Sequence, residues 1–280
     1  MSINLSYYPQ LQSALKQNAS IVYLCGSGLS MALGGHKYNW PNWIAAASEH
    51  VSAADAEKLK VLLDSPEENA LITAAGYAIH KTKQNGAYND YMNETLGSLT
   101  VKDDSLASSF RSINRAGDFI ATTNYDLLIE QATGLDTYTY TQSGNILKSL
   151  KGDSERKVIH LHGLYDASCG IDDIIADTSQ YDTVIANQGA QFIQNLLSTN
   201  TIIVIGCGAT VDDPNLSGFL SFAQKQLGIS VPYFYLYKDD AIGTGIALPD
   251  NFIPVPYGDD YGKLSGFLNE IALYRLNHLA

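Results

Sequence analysis

Three short segments, far apart in the chain, carry residues whose types and spacing could bind and cleave a nucleotide. Residues 26–30 read Gly-Ser-Gly-Leu-Ser, residues 122–126 read Thr-Thr-Asn-Tyr-Asp, and residues 160–163 read His-Leu-His-Gly. In that order they are a turn that could hold phosphates, a polar cluster closing a later strand, and a histidine closing another. Together they predict a nucleotide site at one edge of a doubly wound sheet, with NAD as the expected ligand.

The glycine turn has two interpretations. Gly26 and Gly28 lack a Cβ, so the backbone could turn sharply and approach a pyrophosphate, while Ser27 and Ser30 add hydroxyl donors. The same residues would also serve an ordinary turn after a strand. The spacing lacks the third glycine of a dehydrogenase fingerprint, which argues against hydride transfer.

The second segment places an amide and a carboxylate where a parallel strand should end. Thr123, Asn124 and Asp126 would then lie at the carboxyl edge of the sheet, where open α/β sheets bind ligands. Their side chains could hold ribose hydroxyls or a water molecule. Asn124 or Asp126 could equally cap the helix that begins near residues 127–129, and the sequence leaves both roles open.

The third segment contains two histidines. His160 and His162 alternate with apolar neighbours, which predicts that both imidazoles lie on one face of a strand. His162 is nearer to the ligand edge, where a histidine can accept a proton from a ribose hydroxyl or a water near neutral pH. A hydrogen-bonded structural role is the alternative. A metal site would need a third ligand, which the sequence does not identify.

Two further regions carry polar or glycine-rich patterns. Gly206 and Gly208 follow an apolar run and could admit an adenosine, while residues 212–215 (Asp-Asp-Pro-Asn) predict a helix start capped by Asp213. An acidic stretch is predicted to be a solvated loop in preference to a metal site. It contains Asp166, Asp172, Asp173, Asp177 and Asp182.

The elements that must position these residues alternate along the chain. Apolar runs predict strands at residues 21–25, 119–121, 158–162, 201–205, 233–237 and 252–255. With helices between them, the pattern predicts an α/β fold with a doubly wound, Rossmann-like parallel sheet of about six strands. About 90 residues separate the first two strands, whereas a crossover needs roughly 10 to 12. We therefore predict a single domain over residues 1–280 with a helical subdomain inserted at about 34–116, in which residues 65–68 (Ser-Pro-Glu-Glu) start a helix.

Charge and cysteine content limit the partners. With 17 basic and 29 acidic residues the net charge is −12, which disfavours nucleic acid or an anionic membrane as the main partner. No apolar run approaches the roughly 20 residues of a membrane span. Cys25, Cys169 and Cys207 form no C-x-x-C pair, so neither a zinc site nor a disulfide framework is predicted. We expect a cytoplasmic protein in which Cys25 and Cys207 are small buried residues.

The order of these segments resembles the sirtuin-like superfamily, and more closely its prokaryotic zinc-free branch of NAD-consuming antiphage defence proteins. The resemblance covers about residues 20–257. The matching motifs are a G-A-G-x-S turn at 26–30 with Ser27 replacing Ala, a P-x-W segment at 40–43, a T-x-N-Y-D segment at 122–126, an H-G pair at 162–163, and a G-x-x…D-P-N-L stretch at 206–216.

The resemblance implies roles for these residues. The glycine turn would bind the NAD phosphates, Asn124 and Asp126 would surround the nicotinamide ribose, and His162 would be the catalytic base. Protein deacylases of the superfamily carry four zinc-binding cysteines and an acidic-Phe-Arg segment after the glycine turn, and this chain has neither. The resemblance therefore implies a zinc-free NAD hydrolase that releases nicotinamide and ADP-ribose and depletes NAD in antiphage defence.

Other interpretations stay open on the sequence alone. The same pocket could serve ADP-ribosyl transfer or deacylation, in which an acceptor other than water captures the intermediate. It could also belong to a module that senses NAD or ADP-ribose without turnover, or the glycine turns could be ordinary turns of an unrelated α/β protein. A defence NADase must be restrained in healthy cells, so a homo-oligomer or an activating partner protein is expected.

Overall fold

The computed structural model describes residues 5–17, 20–67, 69–207, 231–239, 248 and 252–279. The described strands are β1 (Ile21–Cys25), β2 (Phe119–Thr122), β3 (Thr137–Thr139), β4 (Val158–His160), β5 (Tyr165–Asp166), β6 (Ile171–Asp172), β7 (Thr201–Ile205), β8 (Tyr233–Lys238) and β9 (Phe252–Gly258). Seven of them form one sheet in the order β3-β4-β2-β1-β7-β8-β9, and every neighbouring pair is parallel. The predicted doubly wound α/β fold is confirmed.

All six predicted strands lie in this sheet, with two differences. The seventh strand, β3, was not predicted, because its three residues contain only one buried side chain, Tyr138. The strand predicted to reach His162 ends at His160. A separate antiparallel hairpin, β5 with β6, follows it.

The described α-helices are α1 (Pro9–Lys16), α2 (Ser27–Gly34), α3 (Trp40–Ala46), α4 (Ala53–Leu63), α5 (Ala70–Gln84), α6 (Tyr88–Met92), α7 (Asp104–Arg115), α8 (Leu128–Thr133), α9 (Ser143–Leu150), α10 (Thr178–Ala186), α11 (Gln188–Ser198) and α12 (Lys263–Leu279). A π-helical turn at Asn93–Gly97 follows α6, and short 3-10 turns lie at Leu5–Tyr7, Ala47–His50 and Tyr140–Gln142. No described helix is both long and apolar enough to cross a bilayer.

The central strands are buried on both faces, as parallel strands with helices on each side must be. Successive side chains of β1 alternate between two cores. Tyr23 and Cys25 pack with α1, α2, α7, α8 and α12 on one face, whereas Val22 and Leu24 pack with α9 and α11 on the other. This period of two fixes which side chains reach each layer.

The long segment between β1 and β2 divides between two cores. Helices α3 to α6 surround a core of their own that contains Trp43, Leu59, Ala78 and Tyr91. Helix α7 instead packs in the sheet core through the face that carries Phe110. Helices α3 to α6, which we call the helical subdomain, therefore lie over the carboxyl edge of the sheet through contacts that include Tyr125 and Tyr165.

The predicted helix start at residues 65–68 is wrong. Helix α5 begins at Ala70, with Asn69 at its N-cap position. The Ser65 hydroxyl accepts a hydrogen bond from the Glu67 amide at 3.3 Å, so these residues form a local side-chain turn before the helix begins.

The strand order creates a topological switch point at β1. The chain passes from β1 to β2 on one side and later enters β7 on the other side of β1. Cys25 is in register with both Thr122 and Ile205, so the three strands end at the same level. Open α/β sheets bind ligands in the crevice at such a point, outside the carboxyl ends of the strands.

Candidate functional site

A pocket opens at this carboxyl edge, between the sheet and the helical subdomain. About 580 Å³ of space lies between its walls, part of it open to solvent. It is lined by Ser27, Tyr38, Asn39, Trp40, Trp43, Leu96, Thr123, Asn124, Tyr125, Asp126, His162 and Tyr181. Residues from all three polar segments of the sequence therefore meet at one cavity.

The glycines of the turn after β1 are explained by close packing of two loops. A Cβ on Gly26 would lie 2.6 Å from the Cα of Cys207, and one on Gly28 would lie 2.8 Å from the carbonyl oxygen of Gly206. Gly206 has φ of +68°, and a Cβ there would lie 2.3 Å from the Leu29 nitrogen. All three positions therefore require glycine before any ligand is considered.

The same packing uses one of the backbone amides at the start of α2 that could otherwise bind a phosphate. The Gly28 amide donates to the Gly206 carbonyl at 2.8 Å. Ser27, in contrast, lines the pocket and donates no hydrogen bond to another described residue. Ser27 therefore lies on the wall of the cavity with an amide and a hydroxyl that no described residue uses.

Asn124 links the β2 loop to the glycine turn. Its side-chain Nδ2 donates to the Gly26 carbonyl at 2.9 Å and to the Ser30 hydroxyl at 2.7 Å. Because the Gly26 carbonyl can only accept, Nδ2 must face it, and this fixes the orientation of the amide. Oδ1 makes no hydrogen bond to another described residue, so the acceptor of Asn124 remains available at the pocket it lines.

Ser30 lies behind the pocket wall and joins two site residues. It is buried, its hydroxyl accepts from Asn124 at 2.7 Å, and the same hydroxyl favours the ionised form of the Asp126 carboxyl and so lowers its pKa. Asp126 Oδ1 also accepts from the Leu128 amide at 3.0 Å, so it serves both the start of α8 and the pocket. Burial raises the pKa of the Asp126 carboxyl, against the opposing effect of these hydrogen bonds.

The backbone around Thr123 is held to the end of β1. The Thr123 amide donates to the Cys25 carbonyl at 3.2 Å, and the Thr122 hydroxyl donates to the same carbonyl at 3.0 Å. The Thr122 hydroxyl then accepts from the Asn124 amide at 3.0 Å. These bonds fix the turn that places Thr123 and Asn124 on the pocket wall.

His162 lies just beyond β4 in a rigid turn. Its ring meets Tyr181 of α10 edge to face, with centroids 5.3 Å apart, and its carbonyl accepts from the Ile175 amide at 2.8 Å. Gly163 has φ of +73°, and a Cβ there would lie 2.0 Å from the Asp173 carbonyl oxygen. This glycine is therefore required for the turn that directs the chain away after His162.

The two histidines separate, contrary to the prediction that they share a strand face. β4 ends at His160, so the alternation of a strand no longer applies at His162. His160 is buried beneath the β2 loop, where its ring nitrogens contact the Asn124 carbonyl at 2.9 Å and Glu130 Oε1 at 2.8 Å. Only His162 lines the pocket.

An aromatic wall completes the pocket, and most of it was not predicted. Trp40 and Trp43 come from α3, whose segment carried the resemblance to the P-x-W motif. Trp43 packs on Tyr125 with ring centroids 5.5 Å apart. Tyr38 and Tyr181 were not among the predicted site residues, because single tyrosines in a chain with 18 of them carry no local signal.

The acidic stretch forms a hairpin and a helix start where a loop was predicted, and none of its five aspartates is buried. Asp173 Oδ1 accepts from the Leu164 amide at 2.8 Å, and Asp172 accepts from the Tyr88 hydroxyl at 2.7 Å. Asp177 forms a capping box with Gln180 at the start of α10. In the part of the chain that the structure describes, no group of three or more His, Cys, Asp or Glu side chains is placed to hold a metal ion.

The remaining predicted positions divide between described and undescribed residues. Gly208 and residues 212–215 lie outside the described part of the chain. Cys25 and Cys207 are buried, as expected, and burial raises the pKa of the Cys207 thiol to about 12. Neither thiol is an activated nucleophile.

Residues 118–247 match the SIR2-like domain family. This SIR2-like region contains Asn124, Asp126, His162 and Gly206, and it begins after the glycine turn at 26–30. The match supports the resemblance to the sirtuin-like superfamily.

Solved structures of Sir2 proteins are also similar to this chain at low identity. A Sir2 homologue in complex with NAD is 16% identical with a TM-score of 0.48, and the alignment covers 97% of this chain and 95% of that one. A mutant Sir2 homologue in complex with ADP ribose is 14% identical with a TM-score of 0.49, covering 96% and 97% of the two chains.

Proposed function

We propose that this chain is a NAD hydrolase that cleaves the nicotinamide N-glycosidic bond and releases nicotinamide and ADP-ribose. The observation that carries the proposal is the meeting of Asn124, Asp126 and His162 at one pocket on the switch point of a doubly wound sheet. The SIR2-like match over residues 118–247 supports a nucleotide of this class as substrate.

The described lining suits the nicotinamide riboside part of NAD. Trp40, Trp43 and Tyr181 contribute aromatic side chains to the lining, which also contains an acidic side chain, Asp126, but among its described residues no lysine or arginine. Aromatic faces and a carboxylate favour a flat cationic ring such as the pyridinium of NAD. Asn124 Oδ1 and the Asp126 carboxylate supply acceptors for ribose hydroxyls.

Hydrolysis needs a base and stabilisation of positive charge. As the glycosidic bond breaks, positive charge develops on the ribose ring, and Asp126 stabilises it. Asn124 orients the attacking water through its side-chain carbonyl. Nicotinamide leaves with the electron pair of the broken bond. The water oxygen then bonds to the ribose carbon, and His162 accepts the proton that this water loses.

Hydrolysis is favoured over peptide deacylation by what the sequence contains. The chain has three cysteines in all, fewer than the four that hold zinc in the deacylases it resembles, and no acidic-Phe-Arg segment follows the glycine turn. We propose a zinc-free enzyme that acts in the cytoplasm and defends against phage by depleting NAD. In healthy cells it is restrained, either by its assembly as a homo-oligomer or by the absence of an activating partner protein.

The test is nicotinamide release from NAD by the purified chain at high protein concentration, with nucleotide binding measured in parallel. We expect nicotinamide and ADP-ribose in equal amounts, and a large fall in release in folded His162→Ala and Asn124→Ala variants. Products captured by an added acceptor would indicate transfer instead of hydrolysis. Tight NAD binding without release, alone or with candidate partners, would replace the hydrolase by a sensor module.

A further inference from the structure

His160 is a fully buried histidine that the proposed reaction does not use. It lies between two elements, with Nδ1 2.9 Å from the carbonyl oxygen of Asn124 and Nε2 2.8 Å from Oε1 of Glu130 on α8. The Thr137 hydroxyl of β3 donates to the same Glu130 oxygen at 2.8 Å. The imidazole therefore connects β4, α8 and the β2 loop beneath the pocket.

The partners determine which ring nitrogen carries a proton. A backbone carbonyl can only accept, so Nδ1 must carry a hydrogen and donate it to Asn124. Nε2 faces a carboxylate, which also favours a proton on that nitrogen. The charged groups that face the ring are Glu130 and Asp126. Burial lowers the pKa of His160, but Glu130, the hydrogen bonds and Asp126 outweigh it, so the pKa lies above its usual value.

The bond from His160 completes the restraint on the backbone of one residue, Asn124, by holding the peptide that follows it. The Asn124 amide donates to the Thr122 hydroxyl at 3.0 Å, and its carbonyl accepts from His160. With the backbone held on both sides, the side chain reaches the Gly26 carbonyl and Ser30, and its Oδ1 is left at the pocket. A backbone rotation at this residue would break these side-chain bonds and move Oδ1.

We infer that His160 is a positioning residue, whose Nδ1–H bond to the Asn124 carbonyl, supported by Glu130, sets the place of the Asn124 side chain in the pocket. The consequence for turnover rests on the proposed NAD hydrolysis, whereas the consequence for the Asn124 side chain does not. His162 contacts the reactants in that reaction, and His160 acts only through Asn124.

Two substitutions separate the contacts of this ring. In His160→Asn the side-chain nitrogen can occupy the place of Nδ1, which retains a donor to the Asn124 carbonyl and gives up the contact with Glu130. In His160→Gln the nitrogen can occupy the place of Nε2, which retains the contact with Glu130 and gives up the donor to Asn124. Each variant loses one hydrogen bond of a buried group, and both lose the imidazole ring, so both should be less stable than wild type and are compared per folded molecule.

The positioning role predicts a split between these variants in nicotinamide release per folded molecule. We expect His160→Gln to lower kcat about 10- to 100-fold, and His160→Asn to stay within about threefold of wild type. In an Asn124→Ala background, His160→Gln should lower kcat no further, because the residue through which it acts is gone. Equal kcat in the two single variants, or a further loss in the double variant, would overturn the proposal.

A second readout does not need turnover. The side-chain amide protons of Asn124 can be assigned by NMR from their loss in Asn124→Ala. We expect His160→Gln to shift these two resonances and speed their exchange with solvent, and His160→Asn to leave them near the wild-type positions. If the wild type releases no nicotinamide, alone or with candidate partners, the proposed function fails while this comparison still decides the positioning role. Unchanged resonances in both variants would refute that role.

Discussion

Two buried polar clusters lie at opposite ends of β2, and they differ in whether their residues line the pocket. At the amino end, Asp118 Oδ1 accepts from the Ile21 amide at 3.2 Å and from Arg275 Nε and Nη2 at 3.2 and 3.1 Å. Arg275 also donates to the carbonyls of Leu15 and Gln17. This cluster joins α1, α12 and two strands, and none of its residues lines the pocket.

At the carboxyl end, the cluster of Ser30, Asn124, Asp126 and His160 is buried to a similar extent. Its bonds also join several elements, but Asn124 and Asp126 belong to the pocket wall together with His162. Burial and hydrogen bonding alone therefore do not distinguish a binding site from a structural ion pair. What distinguishes the carboxyl-end cluster is that its polar groups adjoin a cavity.

The largest effect is expected at the pocket itself. His162→Ala removes the proposed base, and general-base catalysis contributes about 10²- to 10⁴-fold, so nicotinamide release should fall by that factor. Because its ring lies at the pocket, we expect less loss of stability than at the amino end. Steady-state release and thermal unfolding measure the two effects. Full activity in a folded variant would remove His162 from the mechanism.

The amino-end cluster should show the opposite behaviour. Asp118→Asn removes the charge that faces Arg275, and breaking a buried ion pair costs about 3 to 5 kcal/mol of unfolding free energy. Release of nicotinamide per folded molecule should stay close to wild type. Urea denaturation and kinetics on the folded fraction test this. A fall in kcat per folded molecule would show that the amino-end cluster also influences the pocket, and the two clusters would then not differ in function.

A matched pair of glycines tests how far the turn after β4 controls the site. Gly163 and Gly170 have φ of +73° and +67°, but a Cβ meets the Asp173 carbonyl at 2.0 Å only at Gly163, whereas nothing lies within 4 Å at Gly170. Gly170→Ala should cost about 1 to 2 kcal/mol, the strain of the left-handed conformation.

Gly163→Ala carries the same strain and must also displace backbone next to His162. We expect about 2 kcal/mol more destabilisation than in the control, together with a fall in nicotinamide release per folded molecule. Urea midpoints and turnover of the two variants supply the comparison. Equal values for both would mean that the Asp173 segment moves aside freely and does not fix His162.

The sequence predicted the sheet well because each long strand is an apolar run stopped by glycine or polar residues. It also predicted that the three polar segments meet, since parallel strands bring their carboxyl ends to one edge. Strand β3 was not predicted, because three residues with one buried side chain carry no periodic signal. The start of α5 was wrong because the Ser65 hydroxyl bonds locally to Glu67 and competes with the helix.

At the candidate site, the roles of single residues could not be predicted from the sequence. A glycine needed for ligand approach and a glycine needed for loop packing look identical in a sequence, and Gly26, Gly28 and Gly206 prove to be required by packing. The separation of His160 from His162 depends on where β4 ends, which alternation cannot supply. The aromatic wall comes from segments distant in the chain, so only the folded structure brings it to the pocket.

The smallest expected effect is a pH dependence of stability at the carboxyl end of β2, which the amino end should not share. The pKa of His160 is raised in the folded protein, so its contribution to stability is fully present below its unfolded pKa of about 6.5 and is lost as pH rises through the folded pKa. The amino-end cluster of Asp118 and Arg275 contains no histidine. Glu130→Gln removes the charge that holds the proton on His160, and should therefore reduce this loss.

The comparison of wild type with Glu130→Gln isolates the effect from other titrating groups. Burial lowers the pKa of His36, so its contribution has the opposite sign and is lost as pH falls. This contribution is common to both proteins and cancels in the difference. We expect the stability advantage of wild type, measured by urea unfolding between about pH 5.5 and 8.5, to shrink as pH rises. A constant difference across that range would show that His160 does not carry the charge, and its bond to Asn124 would then be that of a neutral ring.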